Sequence, residues 1–411
     1  MTLFYRNIFT VLTGTGIAQL IPVLGSLIIV RIFSPDIFGE YALWFSLTII
    51  LTVIISGRFE TCIAVKSPGE ERNKAVYYTL ITILIGTTFF IFLAIPIYLV
   101  FSEYIKLKQP IVLLLTPISA ALTASIQLII SYYASEGLFK RLSIVRIIQS
   151  AAILILQVVA GLLFDNNVYA LVLTHTFALF LTILFIFSLL KLRFNFNNFK
   201  PHCVIEFWKN NKKYLLYSLP ADTINSVSAE LPIIMVVAKF GSEAGGILAL
   251  TLRVLGAPIG LIAKAVLDVF KKFASDEFRE KGNCSAIFTK TFKILALLSL
   301  VFFTFSYFLI EDLFLIAFGS EWSTAGEAAK ILLLLFSLRF IASPLSYVVY
   351  ITENQEVDLY WQFLLLITTV SSFHFLSSLN GALYVYNIGY SMLYVLYLVL
   401  CYRMTKKQCT Y

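Results

Sequence analysis

Charge is what this chain of 411 residues has least of: Asp, Glu, Lys and Arg together make up 13%, against roughly 25% in an ordinary soluble domain. Histidine occurs three times, and the five cysteines, Cys62, Cys203, Cys284, Cys401 and Cys409, form no CxxC and no Cys/His pair that reads as a metal or redox site. That excludes the usual Cys/His metal and redox motifs. HExxH, GxSxG, DxD and a Walker lysine are all missing, so the common hydrolase and nucleotide-site signatures are excluded too. Hydrophobic residues fill 59% of the chain, with a mean hydropathy of +0.88. At about 20 residues per helical span plus a short loop, the chain holds a dozen spans and leaves no room for a soluble catalytic or ATPase domain. No cofactor is expected.

Apolar segments bounded by charge or Gly/Pro punctuation fall at 8–31, 38–62, 75–101, 110–135, 141–163 and 167–190. A polar stretch, 191–213, precedes six more at 214–238, 244–270, 285–310, 326–351, 359–378 and 380–402. The run up to Arg31 is too long for a signal-peptide core and predicts a retained first helix. The expected architecture is all-α and integral to the membrane. Its twelve transmembrane helices form two pseudo-symmetric six-helix bundles, 1–190 and 214–411, joined by the linker 191–213.

Net charge is +8, and its distribution turns that excess into a topology signal rather than a nucleic-acid footprint. Alternate connections carry 19 Lys and Arg on one side, from Arg6 to Lys407, and four on the other: Arg31, Lys106, Lys108 and Lys239. Basic residues near span ends stay in the cytoplasm, which predicts that both termini are cytoplasmic. All five cysteines fall on or near that reducing side and are expected as free thiols. In the linker, Phe194, Phe196, Phe199, Phe207 and Trp208 among basic residues suit a segment lying on an anionic leaflet, or a solvated connection.

Shifting the chain on itself by 207 residues aligns Phe33–Leu43 with Phe240–Leu250 without a gap, each at the turn between the first and second helix of a half. Six spans per half means two parallel repeats, as in transporters whose halves are related by an axis along the membrane normal.

Ionisable groups inside spans are costly and mark cavities or partners. Nearest mid-bilayer are Asp222, Glu230, Arg253 and Arg339; Arg58, Glu60, Arg146, Lys264 and Asp268 lie nearer the cytoplasmic ends, where long side chains can snorkel. A guanidinium binds phosphate bidentately without losing its proton. Arg253, Arg339, Arg31, Arg58, Arg146 and Lys264 are therefore the candidate anion-binding residues, and Asp222, Glu230 and Glu60 the candidate coupling-ion or charge-balance carboxylates. A buried ion pair of Arg253 or Arg339 with Asp222 or Glu230 is the alternative. His175 and His374 read as packing residues.

The stretch from Arg31 to Ala42, then Gly57-Arg-Phe-Glu60, resembles the first two helices of bacterial polysaccharide (O-antigen) flippases. The resemblance continues in Phe240–Gly246, Arg253–Pro258, Phe318–Trp322 and Ser343–Ser346. It implies a MATE-like fold around a central cavity, in the superfamily that also holds multidrug exporters and lipid II flippases. It further implies translocation of an undecaprenyl-diphosphate-linked oligosaccharide across the bacterial inner membrane by alternating access, with polymerase and chain-length proteins of the pathway as partners. Two other functions stay open: an exporter of organic cations, kept alive by Asp222 and Glu230, and a membrane enzyme such as a polymerase or acyltransferase, which lacks the large external loop or supported histidine it would need.

Overall fold

The computed structural model describes residues 2–101, 110–164, 166–189 and 201–406; the side chains of 2–15, 97, 100, 101, 110, 189, 201, 202, 264, 265, 268 and 355 are not among those described. The linker aromatics Phe194, Phe196 and Phe199, together with Cys409, lie outside these residues. The described chain is helical throughout and divides into two compact units, Met1–Ile234 and Met235–Tyr411.

The first unit contains α1 (Thr2–Ile32), α2 (Pro35–Ser56), α3 (Glu70–Phe101), α4 (Thr116–Ser135), α5 (Phe139–Leu163), α6 (Val168–Leu189), the short α7 (Pro201–Asn210) and most of α8 (Leu219–Phe240). The second contains α9 (Ser242–Pro258), α10 (Lys264–Lys281), α11 (Ser285–Phe318), α12 (Ser323–Leu345), α13 (Val348–Ile351), α14 (Gln355–Phe375) and α15 (Leu379–Met404). Ten segments are long and apolar enough to span a bilayer; α1, at 31 residues, and α14, at 21, complete the expected twelve.

Local chemistry sets the helix ends. α2 starts at Pro35, whose fixed φ and missing N–H suit a first turn. It stops at Gly57, which is left-handed at φ 59° and donates its N–H to the Ile54 carbonyl. The helix starts confirm the 207-residue offset at two places: α2 and α9 begin at 35 and 242, α4 and α12 at 116 and 323, each of the latter pair after a 3-10 turn.

Two spans contain a π turn. Tyr214–Ser218 precedes Pro220 at the start of α8, and Ile259–Ala263 follows Pro258 at the end of α9. A helix proline frees a carbonyl four residues back, and a wider turn accommodates the mismatch. The second π turn joins α9 to α10, so the eighth span runs on without interruption to Lys281, past the end at 270 expected from hydropathy. Paired charges such as Glu277 and Lys281 (3.4 Å) keep this polar extension helical.

In the first unit α4 packs against α2, α3, α5 and α6, and the core around it holds Ile55, Ala120, Ala124, Tyr133 and Leu179. In the second, α12 packs against α9, α10, α11 and α15. Lipid-facing apolar side chains are concentrated on α3 (Phe89, Phe92, Leu99) and α11 (Leu300, Phe305, Phe308, Ile316). Hydroxyls within the spans, such as Thr48, Thr79 and Thr182, donate to the carbonyl one turn back and so carry no unmet hydrogen bond into the core.

α11 and α12 touch most closely at Gly326: a Cβ there would stand 3.1 Å from both the Glu311 Cα and the Phe314 Cβ. Gly326→Val must therefore separate two backbones, a cost of about 1–3 kcal/mol for overpacking. The expected result is a lower melting temperature in detergent, followed by tryptophan fluorescence; an unchanged one would mean the pair yields freely.

The two compact units divide at 234/235, so the start of the seventh span groups with the first unit. Side chains at the start of the seventh span explain it: Tyr214 and Leu215 join the cluster of Phe59, Cys62, Ala75 and Phe207, and Asp222 and Glu230 bond to residues of the first unit. Phe207 and Trp208, read from sequence as leaflet or solvent residues, instead lie on the protein. Phe207 is buried, and the Trp208 indole donates to Thr82 Oγ1 at 2.8 Å.

Candidate functional site

Beyond α2, the turn Phe59–Val65 follows Arg58 and holds Glu60 within an ion-pair cluster that Asp222 completes. Arg58 follows Gly57 in the left-handed region, at φ 60°, a conformation costing a non-glycine residue roughly 1–2 kcal/mol. Its side chain shows what holds it there. Nε donates to Asp222 Oδ2 at 2.6 Å and Nη1 to Glu60 Oε1 at 2.9 Å, while its carbonyl accepts from Thr61 Oγ1 at 2.6 Å. Glu60 is 4% exposed, and its second oxygen, Oε2, is buried without a hydrogen bond. One guanidinium thus serves two carboxylates, so Arg58 is already neutralised. Below it the buried Cys62 thiol is pushed up to about 11 by burial, partly opposed by Lys66; Cys62, Cys203, Cys284 and Cys401 are all free thiols.

The other cations expected in this unit stand apart. Arg31, exposed, ends α1 beside the start of α2, whereas Arg58 follows its far end; the 22 residues between put about 30 Å between them. Arg146 is half-buried on α5. Midway along α8, Glu230 accepts from Ser46 Oγ at 2.7 Å, a hydroxyl of α2. Asp222 and Glu230 thus engage Arg58 and Ser46, and the sequence suggested neither partner. His175 is buried among Tyr41, Trp44 and Phe45 with Nδ1 2.7 Å from the Tyr41 hydroxyl, a satisfied packing residue.

In the second unit Arg253 sits half-buried on α9 and Arg339 exposed on α12. Phe336 supports both helices: its ring edge lies 4.0 Å from where a Cβ at Gly256 would stand, one turn after Arg253, and the Arg339 guanidinium lies 5.8 Å above its centroid. Tyr386, Tyr390 and Tyr394 form a ladder along one face of α15, with Tyr386 and Tyr390 centroids 4.3 Å apart. The side chain of Lys264 lies outside the described residues.

Three groups escaped the sequence reading. Glu40, 1% exposed, is fully inside α2; it lay in the Pro-Asp-Ile-Phe-Gly-Glu stretch, read there as a motif rather than as a charge. Asp358 in α14 accepts from Tyr397 at 2.8 Å and Gln362 at 3.0 Å, beneath the Trp361–Tyr397 stack. Lys330 pairs with Glu311 at 3.1 Å. Asp358 and Glu311 fall just outside the apolar runs 359–378 and 285–310, because charge interrupts hydropathy. Among the described residues no group of three His, Cys, Asp or Glu could hold a metal ion.

This fold is shared with known transporters. A multidrug resistance MATE family transporter of the MOP superfamily, in an inward-facing conformation, superposes with a TM-score of 0.62 at 15% identity, covering 98% of this chain and 96% of that one. A MOP superfamily transporter from Pyrococcus furiosus, described by the reverse polarity of its binding pocket, gives 0.63 at 14%, with 98% and 96% covered. The lipid II flippase MurJ, inward closed, gives 0.73 at 13%, with 97% and 87% covered. No curated protein sequence matches the chain. The family model described as polysaccharide biosynthesis protein matches residues 28–327, and the chain belongs to that family.

Proposed function

We propose that the chain is a flippase for a lipid-linked oligosaccharide, an undecaprenyl-diphosphate-linked O-antigen or capsule repeat unit, moved from the cytoplasmic to the periplasmic leaflet by alternating access. The observation that carries the reading is the placement of Arg253 and Arg339 within spans of a chain whose family serves polysaccharide biosynthesis. A diphosphate entering the membrane needs its charge met by fixed donors, and guanidinium keeps its charge there. On this reading Arg253 and Arg339 take the diphosphate, with Arg31, Arg146 and Lys264 as further cations on its path; Arg58 is held by Asp222 and Glu60 until the charge arrives. The basic asymmetry of 19 against four supports an orientation with both termini in the cytoplasm and the protein in the inner membrane. The two repeats, 1–190 and 214–411, rock about the linker 191–213; polymerase and chain-length proteins of the pathway are the partners downstream.

One observation favours a second reading. Glu230 is met by a hydroxyl, not a cation, as an exporter of organic cations would need.

Deleting the gene in a conditional background separates the two. Mass spectrometry of lipid extracts should show complete undecaprenyl-linked repeats accumulating while surface polymer disappears from a gel. Persisting polymer with no build-up of lipid-linked repeats rejects the flippase and turns attention to cation export.

A further inference from the structure

A polar cavity lies in the second unit, and neither Arg253 nor Arg339 is among its lining residues. It is bounded by the second half of α11, the first half of α12 and the start of α15, at the end of the unit opposite the basic connections, and its volume is ≈ 380 Å³. Each lining group already has a chemical role or lacks one. Lys330, the cation of the cavity, is bound to Glu311 at 3.1 Å and lies 5.2 Å over the Tyr307 ring, so it is neutralised and that ring face is covered. Asn387 is 7% exposed; its Oδ1 accepts from the Leu335 N–H at 2.9 Å, which leaves its amide hydrogens as donors. Uncommitted are the Glu327 carboxylate, the Asn380 amide and the 54% exposed ring and hydroxyl of Tyr384.

This is an uncovered aromatic ring surrounded by one carboxylate and two amides, with no free cation. Phosphate is a poor match because the lysine is spent, and an acyl chain is a poor match because it would strand the polar groups. A pyranose suits it: the C–H face of the sugar lies on an aromatic ring, and each hydroxyl both donates and accepts, which carboxylate and amide side chains answer in kind. Two glutamates against one lysine leave the cavity with a charge of −1, favouring an amino sugar and opposing a uronic acid. We propose that this cavity is a saccharide site, selective for neutral and amino sugars, at the outer end of the second unit. On the proposed orientation it faces the leaflet where a translocated headgroup emerges. The binding itself rests on the cavity alone.

The test uses the full chain in nanodiscs and three soluble probes: methyl β-glucosaminide, methyl β-glucoside and methyl β-glucuronide, observed by saturation-transfer NMR. The first two should receive saturation and the glucuronide about fivefold less, and Tyr384→Ala should weaken the first two about fivefold, the effect of roughly one kcal/mol. Glu327→Gln should erase the preference for the amine, with melting temperatures checked against wild type. Tyr384→Phe, which keeps the ring, should retain most of the signal and guards against a folding artefact. Absence of transfer, or equal transfer to the Tyr384→Ala protein, overturns the proposal. So does a wild-type protein that holds phosphatidylethanolamine in native mass spectrometry, loses it with Glu327→Gln and ignores the glycosides, since the cavity is then a lipid headgroup site. If glycosides bind while the deletion strain exports normally, the saccharide site stands and the transport reading fails.

Discussion

Arg58→Ala should lower the melting temperature and nearly abolish export. The side chain is the shared counter-charge of Glu60, buried, and Asp222, part-exposed, at 2.9 and 2.6 Å. Breaking a buried pair costs about 3–5 kcal/mol by leaving a charge uncompensated. Because Arg58 and Asp222 side chains keep 23% and 37% of their exposure, solvent screening reduces that to roughly 2–3 kcal/mol. The backbone adds a second handle. At φ 60°, Arg58→Gly removes the same charge but relieves the left-handed strain, so it should melt above Arg58→Ala by the equivalent of about 1 kcal/mol. Adding Glu60→Gln and Asp222→Asn to Arg58→Ala neutralises the stranded carboxylates and should restore stability. Export measured in that triple variant then separates the two roles of Arg58: recovery makes it purely structural, and continued loss makes it a contact for the substrate. An Arg58→Ala protein that melts like wild type would remove the ion pair from the account.

Arg339→Ala and Arg253→Ala should each lower export by at least about tenfold, since one charge-assisted hydrogen bond lost to a diphosphate is about 1.5–3 kcal/mol. Arg339→Lys should fall between alanine and wild type: the ammonium keeps the attraction but loses the planar fork and most of its stacking on Phe336. Stability should change little, because Arg339 is exposed. The readout is complementation of the deletion strain, with surface polymer and lipid-linked repeats quantified at matched protein level. Full export by both alanine variants refutes the diphosphate role of these arginines.

The course of the chain was readable because hydropathy is a local property. All twelve spans lie where apolar runs predict, and even the repeat shows, since the turn before α2 and the turn before α9 keep the same residues and the same helix start. What stayed hidden is pairing. Arg58 and Asp222 are 164 positions apart and Ser46 and Glu230 are 184 apart, and no local pattern ties a carboxylate in the seventh span to the second. Bounding spans at charge clusters also fails in one direction. It trims Asp358 and Glu311 from spans where tyrosine, glutamine or lysine satisfies them, and it ends the eighth span where paired charges in fact continue the helix. Phe207 and Trp208 went astray for a related reason, because aromatics beside lysines look interfacial until α3 offers them a partner.

The unbroken run from Ser242 to Lys281 has a practical side. Some 40 residues of helix extend about 60 Å, twice the thickness of a hydrocarbon core. The last residues of the run, Arg279, Glu280 and Lys281, are exposed and lie in one continuous helix with the membrane-embedded part. A helical fusion partner spliced in register at its tip, near Gly282, would continue that helix and give the protein the rigid fiducial that electron microscopy of small membrane proteins needs.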